Sequence, residues 1–469
     1  MSAAGSEPTT PLSRRLALLV AGAFFMEILD GTVIAPAAPY IAADLGVAAV
    51  DINLAISAYV LTLAVLIPIS GWLADRFGAR TVFTVAIVVF TLASAGCALA
   101  TSLPVLVATR VLQGVGGALM VPVGRFAVLR TTAKSDLIRA IAFLTWPALL
   151  APVVAPALGG LLSTYASWRW IFLINVPLGI AGLVLTRLLV PDLRAPGSGP
   201  PPADWRGFAL TATGIAALVL VLENIGTGET AWAAVLLGVA VSASALAAAA
   251  VHLLRAPLPL LDLRVLRIAS FRATVAGGMV HRAVISAVPF LLPLLFQLGF
   301  GWTAAQAGLV VIALFVGNVA IKPVTTPLMR RLGLRTVLLL ALPASAAALV
   351  AMAWLQATTP LLVILGVLLI SGVFRSIAFS AYNSLAFADV DTARMSHANT
   401  LNATAQELGA GLGVAVGALL VRSGEQLIAD GPEGPYRLAF TVLAAMLLVP
   451  MIEALRLPRS AGRTVTGRT

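Results

Sequence analysis

Apolar stretches of about 19 to 29 residues recur along the whole chain. An α-helix rises about 1.5 Å per residue, so roughly 20 apolar residues cross the hydrocarbon core of a bilayer. Charged residues make up 10% of the 469 residues, whereas a soluble domain carries roughly 25%. The mean hydropathy is +1.02. These features predict an all-α polytopic membrane protein, and the length of the stretches excludes an outer-membrane barrel.

The stretches fall into groups of six, two and six, which gives about fourteen predicted spans. They cover residues 16–38, 52–73, 81–100, 103–127, 137–165, 170–190, 207–225, 231–254, 271–296, 304–328, 336–355, 361–387, 398–421 and 438–457. The predicted divisions are a six-helix bundle (1–190), a cytoplasmic linker rich in Pro and Gly (191–206), two additional helices (207–255), a cytoplasmic connector (256–270) and a second six-helix bundle with a cytoplasmic tail (271–469). Two six-helix halves are typical of transporters built from repeats.

Arginine and lysine are concentrated in every second predicted loop, and such loops face the cytoplasm. If the N-terminus is cytoplasmic, the outer loops hold little more than Arg169, Arg422 and Arg437. This asymmetry explains most of the net charge of +11, so the charge indicates topology and not nucleic-acid binding. We expect both termini in the cytoplasm. Because the basic residues are nearly all arginine, we expect the plasma (inner) membrane of a bacterium.

The sequence shows no pattern of residues that is typical of an enzyme. Its one cysteine, Cys97, excludes an intrachain disulfide and a cysteine metal cluster, and its three histidines show no ligand spacing. No nucleophile–base pair and no phosphate-binding Gly-x-x-x-x-Gly-Lys-Ser/Thr loop occurs. We therefore expect no enzymatic activity, no cofactor and no nucleotide partner, and an ion gradient as the source of energy.

A specific motif joins the second and third predicted spans: Gly71-Trp72-Leu73-Ala74-Asp75-Arg76-Phe77-Gly78-Ala79-Arg80. A plain hairpin needs only a short polar turn with positive charge. The order of Gly71, Asp75, Arg76, Gly78 and Arg80 closely resembles the cytoplasmic-loop signature of the major facilitator superfamily. The resemblance implies a gating loop that latches the two halves in the outward-facing state.

The fourth predicted span contains Arg110, Gln113 and a run of glycines at 114, 116 and 117. The glycines allow neighbouring helices to approach closely, and an intramembrane arginine needs an acidic partner. The pattern resembles the fourth-helix signature of the same superfamily, in which the arginine is linked to proton coupling. The alternative is a glycine packing face with a structural ion pair.

Two further motifs resemble those of proton-driven antiporters. The fifth span keeps Pro156, Gly159 and Gly160 of an antiporter motif, with alanine at two positions where the pattern has glycine. The first span carries Leu29-Asp30-Gly31-Thr32-Val33-Ile34, which resembles the first-helix motif of the fourteen-span drug:proton antiporter family. Four motifs in order imply the major facilitator fold, with two six-helix bundles and two extra helices.

Two acids, Glu27 and Asp30, lie inside the first span. Asp30 is roughly 21 Å from the cytoplasmic end of its span, and Arg110 is roughly 10 Å from the outer end of the fourth span. In a core of roughly 30 Å these depths nearly coincide, so Asp30 is predicted to pair with Arg110. Glu27 shares a helix face with Asp30 by its i, i+3 spacing. Two nearby carboxylates resist joint ionisation, so we expect one of them to carry the coupled proton.

The second half places Arg282 and Glu407 near mid-depth. Glu407 and Asn402 belong to a polar stripe, which indicates either a cavity-facing helix or interhelical hydrogen bonding. Arg282 and Glu407 could pair with each other. Glu223, in the extra pair of spans, lies nearer the outer face and is a further candidate.

The leading interpretation is a monomeric, proton-coupled secondary transporter that exports amphipathic, cationic small molecules or drugs by alternating access. Its partners are the substrate, protons and the lipid bilayer. One alternative is a dedicated exporter of a single metabolite or siderophore. Another is a membrane sensor or scaffold that transports nothing.

Overall fold

The computed structural model describes residues 13–47, 49–191, 202–227, 232–427, 431–458 and 460–466. Within these ranges the chain forms nineteen α-helices. They are α1 (Arg14–Leu45), α2 (Asn53–Leu66), α3 (Ser70–Phe77), α4 (Ala79–Ala98), α5 (Leu103–Thr131), α6 (Leu137–Tyr165), α7 (Trp170–Leu173), α8 (Asn175–Leu189), α9 (Trp205–Thr227), α10 (Trp232–Arg255), α11 (Ala269–Leu294), α12 (Ala304–Ala320), α13 (Lys322–Leu332), α14 (Leu334–Ala353), α15 (Leu361–Ala388), α16 (Met395–Leu427), α17 (Gly434–Met446), α18 (Leu448–Arg456) and α19 (Arg463–Thr466).

Twelve helical segments of the described chain are long and apolar enough to cross a membrane, or thirteen if α12 and α13 form one span. Helix α6, of 29 residues, occupies the fifth predicted span. The chain is therefore an all-helical, multi-pass membrane protein, while the total of fourteen spans stays a prediction. Large side chains such as Leu92 (67% exposed) and Leu362 (83% exposed) are accessible on its surface, as expected for helices that face lipid.

The predicted span 304–328 is broken rather than straight. Helices α12 and α13 meet at an angle of 47°, and Pro323 lies in the first turn of α13. Proline lacks an N–H group, and its ring clashes with the carbonyl four residues earlier, so it cannot continue the hydrogen bonding of α12. The break places Lys322, which is 6% exposed, at the first position of α13.

Contacts divide the chain into two compact units. The first contains Met1–Ala217, Val241–Leu263 and Asp391–Thr404, and the second contains Leu218–Ala240, Arg264–Val390 and Ala405–Thr469. The domain boundaries predicted from the sequence stay a prediction.

Glycines set the closest helix contacts within the first unit. Helix α1 packs against α6, and α4 packs against α5. A Cβ atom added to Gly116 of α5 would lie 2.7 Å from the backbone nitrogen of Phe90 on α4. Because real Cβ atoms do not approach backbone so closely, a glycine is required for these helices to touch main chain to main chain.

The second unit contains a comparable series on α16, which we call the glycine ladder: Gly409, Gly413 and Gly417. An added Cβ would lie 2.9 Å from the carbonyl oxygen of Met279 at Gly409, and 2.0 Å from that of Ala283 at Gly413. Residues four apart lie on one face of a helix, so Gly409 and Gly413 pack α16 directly against the main chain of α11. Gly417 continues this face and meets the side chains of Ala287 and Leu291.

Candidate functional site

The centre of the first unit holds a buried ion pair between α1 and α5. A guanidinium nitrogen of Arg110, Nη1, contacts Oδ2 of Asp30, and both side chains are fully buried. The depth argument predicted this pair, and the structure confirms it. A charged pair at this depth needs further hydrogen bonds, because Coulombic attraction alone does not offset the loss of hydration.

Two amide side chains supply those hydrogen bonds. Gln113 Nε2 donates to Asp30 Oδ1 at 2.8 Å, and Asn175 Nδ2 of α8 donates to the same oxygen at 2.9 Å. Gln113 Oε1 accepts from Arg110 Nη1 at 2.8 Å, so one amide contacts both ions. The two amide nitrogens also donate to the hydroxyl of Ser94 on α4, at 3.1 and 3.0 Å. Helices α1, α5 and α8 are thereby linked at the Asp30 carboxylate, and α4 joins them through the two amide groups.

An aromatic side chain covers the arginine. The guanidinium of Arg110 lies 4.1 Å from the centroid of the Tyr59 ring, within the range of cation–π attraction. Its Nε donates to the carbonyl of Ala55 at 3.4 Å, while Nη2 has no hydrogen-bond partner among the described residues. Arg110 is therefore contacted by the Tyr59 ring and the Ala55 carbonyl, and its Nη2 group has an unused hydrogen-bond donor among the described residues.

Glu27 also lies next to Tyr59. The Tyr59 hydroxyl donates to the backbone carbonyl of Glu27 at 3.4 Å. A Cβ added to Gly117 would lie 3.3 Å from the Tyr59 hydroxyl and 3.7 Å from Glu27 Oε1. Gly117 thus leaves room for the side chains of Tyr59 and Glu27 beside α5. Glu27 is 9% exposed, whereas Asp30 is fully buried.

The predicted gating loop lies on α3 and the start of α4. Ser396 donates to the carboxylate of Asp75, and His397 and Arg130 attract it electrostatically. Gly71 lies so close to α16 that an added Cβ would be 2.5 Å from Thr400 Oγ1. These contacts belong to the first unit, which includes Asp391–Thr404.

The remaining loop residues have different partners. Arg80 Nε donates to the carbonyl of Val190 at 2.5 Å, and the Arg76 guanidinium lies 5.4 Å from the Trp72 ring centroid. Gly78 separates α3 from α4 with φ of 85°, a conformation that L side chains rarely adopt. The turn therefore requires glycine at this position.

The antiporter-type residues lie on α6. A Cβ added to Gly159 would lie 2.6 Å from the carbonyl oxygen of Val33, which makes Gly159 the contact point between α6 and α1. Gly160 has open space beside it. Pro156 lies within α6, but its side chain is outside the described part of the chain.

In the second unit Arg282 of α11 and Glu407 of α16 attract each other electrostatically, yet no salt bridge joins them among the described residues. Both side chains are partly exposed. Asn402 is buried, and neither amide atom has a described hydrogen-bond partner. The side chain of Glu223 on α9 is outside the described residues.

Sequence reasoning missed several members of these clusters. Asn175, Ser94 and Tyr59 complete the Asp30–Arg110 network. Arg375, whose role the sequence leaves ambiguous in the twelfth predicted span, lies near Arg282. Asn175 opens the sixth span in an Asn-Val-Pro sequence, which was the available signal. Ser94 and Tyr59 carry no such mark, because single serines and tyrosines are common in membrane helices.

Two carboxylates outside the spans have pKa values below the usual range for aspartate. Asp44 accepts hydrogen bonds from Arg169 Nη1 at 2.8 Å and Trp168 Nε1 at 3.2 Å, and these lower its pKa. Burial raises the pKa of Asp204, but hydrogen bonds from Gly207 N, His252 Nε2 and Leu260 N outweigh it and lower the pKa overall.

An all-helical membrane chain with a charged network buried at mid-depth has the form of a secondary transporter. The sequence matches the Major Facilitator Superfamily over residues 20–414 and again over 274–466. The chain therefore belongs to the major facilitator superfamily, and it is a transporter and not an enzyme.

Relatives and solved structures agree with this assignment. The chain is 36% identical over 463 residues to a Serratia proteamaculans protein, covering 96% of this chain and 94% of the relative. It is 38% identical over 408 residues to an Escherichia coli protein, covering 86% of this chain and 85% of the relative. The name of both, multidrug resistance protein MdtD, is a provisional one. In fold, the chain is similar to the human organic anion transporter MFSD10 (TM-score 0.65, 18% identity, covering 95% of this chain and all of that one) and to the proton:xylose symporter XylE (TM-score 0.63, 15% identity, 96% and 97%).

Proposed function

We propose that this protein is a proton-coupled exporter of amphipathic, cationic small molecules, including drugs, that works by alternating access. In this proposal it is a monomer with fourteen spans and both termini in the cytoplasm of a bacterium, and it needs no cofactor. The multidrug name of its relatives supports the substrate class. The single observation that carries the proposal is the Asp30–Arg110 pair, fully buried and linked through amides to four helices.

The arrangement suggests how a proton could be exchanged for substrate. Ionised Asp30 accepts hydrogen bonds from Arg110, Gln113 and Asn175, all of which stabilise its negative charge. A proton on Asp30 removes the charge that holds Arg110, and the hydrogen-bonding groups of α1, α4, α5 and α8 must then rearrange. We propose that this rearrangement links protonation to the transition between the two access states.

Glu27 is the second candidate for the coupled proton. Its carboxylate lies near Tyr59, the same ring that covers Arg110. Once Arg110 is released from Asp30, it remains close to Glu27, which lies on the same face of α1 as Asp30. In the proposed mechanism Glu27 binds the cationic group of the substrate while Asp30 holds the proton.

The test is proton-driven efflux of a fluorescent cation from proteoliposomes. We expect Asp30→Asn to abolish uptake of protons in exchange for substrate, while substrate exchange without a proton gradient persists. Glu27→Gln is expected to weaken the affinity for the cation. The matched control is Asp44→Asn, because Asp44 is an exposed acid on the same helix (side chain 44% exposed) and should leave transport unchanged.

Undiminished proton-coupled efflux by Asp30→Asn would contradict the proposed role of Asp30. A panel of chemically unrelated cations tests the substrate class. Efflux of several of them supports a drug exporter, whereas efflux of one metabolite alone supports the dedicated exporter.

A further inference from the structure

The second unit carries three charged side chains near the middle of its helices. Arg282 is about 13 residues from the start of α11, and Glu407 is about 12 from the start of α16. Successive spans alternate in direction, so Arg375 is counted from the end of α15, which is about 13 residues away. These positions correspond to roughly 18 to 20 Å along each helix. Two cations and one carboxylate therefore lie at similar depth, and the cluster carries an excess of positive charge.

Arg375 is the unusual member. It is 9% exposed, and its Nη1 has no hydrogen-bond partner among the described residues. Among the described residues, the charged group that acts on it electrostatically is Arg282, which repels it. Removing an arginine from water without an anion is costly, so such a residue is retained where an anion binds during function.

Arg282 presents its guanidinium to the same region. Its Nε lacks a described hydrogen-bond partner, and its guanidinium lies 5.3 Å from the ring centroid of Phe379, one turn after Arg375 on α15. The backbone of α16 lies beside it, because a Cβ added to Gly409 would be 3.2 Å from Arg282 Cβ. Arg282 is therefore packed against α16 at its Cβ, while its buried Nε keeps an unused hydrogen-bond donor.

Glu407 does not neutralise these arginines by direct contact. It attracts Arg282 electrostatically, but the described residues place it in no salt bridge and no hydrogen bond. Its side chain is partly exposed. The cluster thus offers one acceptor and two guanidinium groups whose hydrogen-bonding capacity is unfilled.

We infer that Arg375 and Arg282 bind an anionic group of the substrate, a carboxylate by preference, and that the transported molecules are zwitterionic amphiphiles. A planar carboxylate matches the fork of N–H groups of a guanidinium, so each arginine can offer it two parallel hydrogen bonds. Phe379 offers an apolar face for an aromatic body. This inference depends on the proposed export function and extends its substrate class from cations to molecules with both charges.

The test compares two dyes that differ in one group. Rhodamine 110 has a free carboxylate, and rhodamine 123 is its methyl ester. Fluorescence anisotropy with the purified protein measures the dissociation constant of each dye. We expect the free acid to bind at least tenfold more tightly than the ester, equivalent to about 1.4 kcal/mol. Equal affinities, or no saturable binding of the free acid, would overturn the inference.

Variants assign the effect to the arginines. Arg375→Gln is expected to raise the dissociation constant of the free acid at least tenfold and to leave that of the ester unchanged, whereas Arg375→Lys restores part of the loss. The control is Arg272→Gln, because Arg272 is an exposed arginine on the same helix as Arg282. An equal loss for both dyes in Arg375→Gln, or preserved acid preference, would assign Arg375 a structural role and refute the site.

The comparison between the dyes in the unmodified protein needs no variant, so a folding defect in Arg375→Gln leaves the inference testable. Its failure is also separable from failure of the proposed function. Selective binding of the acid without proton-driven efflux would refute the coupling and keep the anion site. Proton-driven efflux of both dyes at equal affinity would keep the exporter and refute the anion site.

Discussion

The ion pair between Asp30 and Arg110 predicts a specific pattern of stability. In Asp30→Asn one oxygen still accepts from Gln113 and Asn175, but the new amide nitrogen faces Arg110 Nη1, so two donors oppose each other. Arg110 keeps its hydrogen bonds to Gln113 Oε1 (2.8 Å) and to the Ala55 carbonyl (3.4 Å) and its contact with the Tyr59 ring, but it loses the carboxylate that neutralises its charge. Breaking a buried pair by removing one partner costs about 3 to 5 kcal/mol. Because the amides remain, we expect about 3 kcal/mol for Asp30→Asn.

Arg110→Gln should cost about as much, because it leaves Asp30 without its cation. The double variant Asp30→Asn with Arg110→Gln removes both charges and leaves two neutral amides able to bond to each other. We expect it to lose only about 1 to 2 kcal/mol, so that the double-mutant cycle gives a coupling of roughly 4 kcal/mol.

The chain supplies its own reporter for this measurement. Cys97 is the one cysteine and is fully buried, with its thiol directed at Gln113 Oε1 (3.5 Å) and Thr109 Oγ1 (3.3 Å). A thiol-reactive fluorogenic maleimide therefore reacts only as the protein unfolds. At about 2 °C per kcal/mol, each single variant should unfold roughly 6 °C below the unmodified protein. Additive losses in the double variant, or an unchanged midpoint for Asp30→Asn, would refute the reasoning.

Three further predictions concern other positions. Gly413→Ala should lower the unfolding midpoint by several degrees, since its Cβ would lie 2.0 Å from the Ala283 carbonyl oxygen, whereas an alanine at the open Gly160 should be neutral. The lowered pKa of Asp204 stabilises the fold above the pKa that this residue has in the unfolded chain, about 3.9, and the contribution is lost as pH falls through the lower, folded value. The unfolding midpoint of Asp204→Asn should therefore converge on that of the unmodified protein as the pH is lowered below about 4. Lys322→Met should raise the midpoint, because the buried ammonium has a hydrogen bond to the Ser380 hydroxyl at 2.7 Å and no described carboxylate in contact.

The pairing of Asp30 with Arg110 was predictable because helical rise fixes the depth of a residue once the ends of its span are known. What depth does not give is rotation about the helix axis or the choice of neighbouring helix. Asn175 joins the pair only because α8 packs against α1 and α4. The role of Arg375 was ambiguous for the same reason, since the charged groups that this side chain faces depend on how α15 is rotated.

The break between α12 and α13 shows a related limit. Pro323 is visible in the sequence, but hydropathy averages over it and predicts one continuous span at 304–328. Whether proline bends a membrane helix or is accommodated depends on neighbours that satisfy the freed carbonyl groups, and these are defined only by packing.

The glycine ladder holds α11 and α16 at a fixed separation and register. Where backbones touch, helices cannot slide without breaking several contacts at once, so Arg282 and Glu407 move through the transport cycle as one piece. Spin labels on cysteines at the exposed positions Ala276 and Val414, in a Cys97→Ser background, should report one narrow distance whatever the proton or ligand state. Distances from either label to another helix can then be read as motion of that helix, because the pair supplies a fixed internal standard.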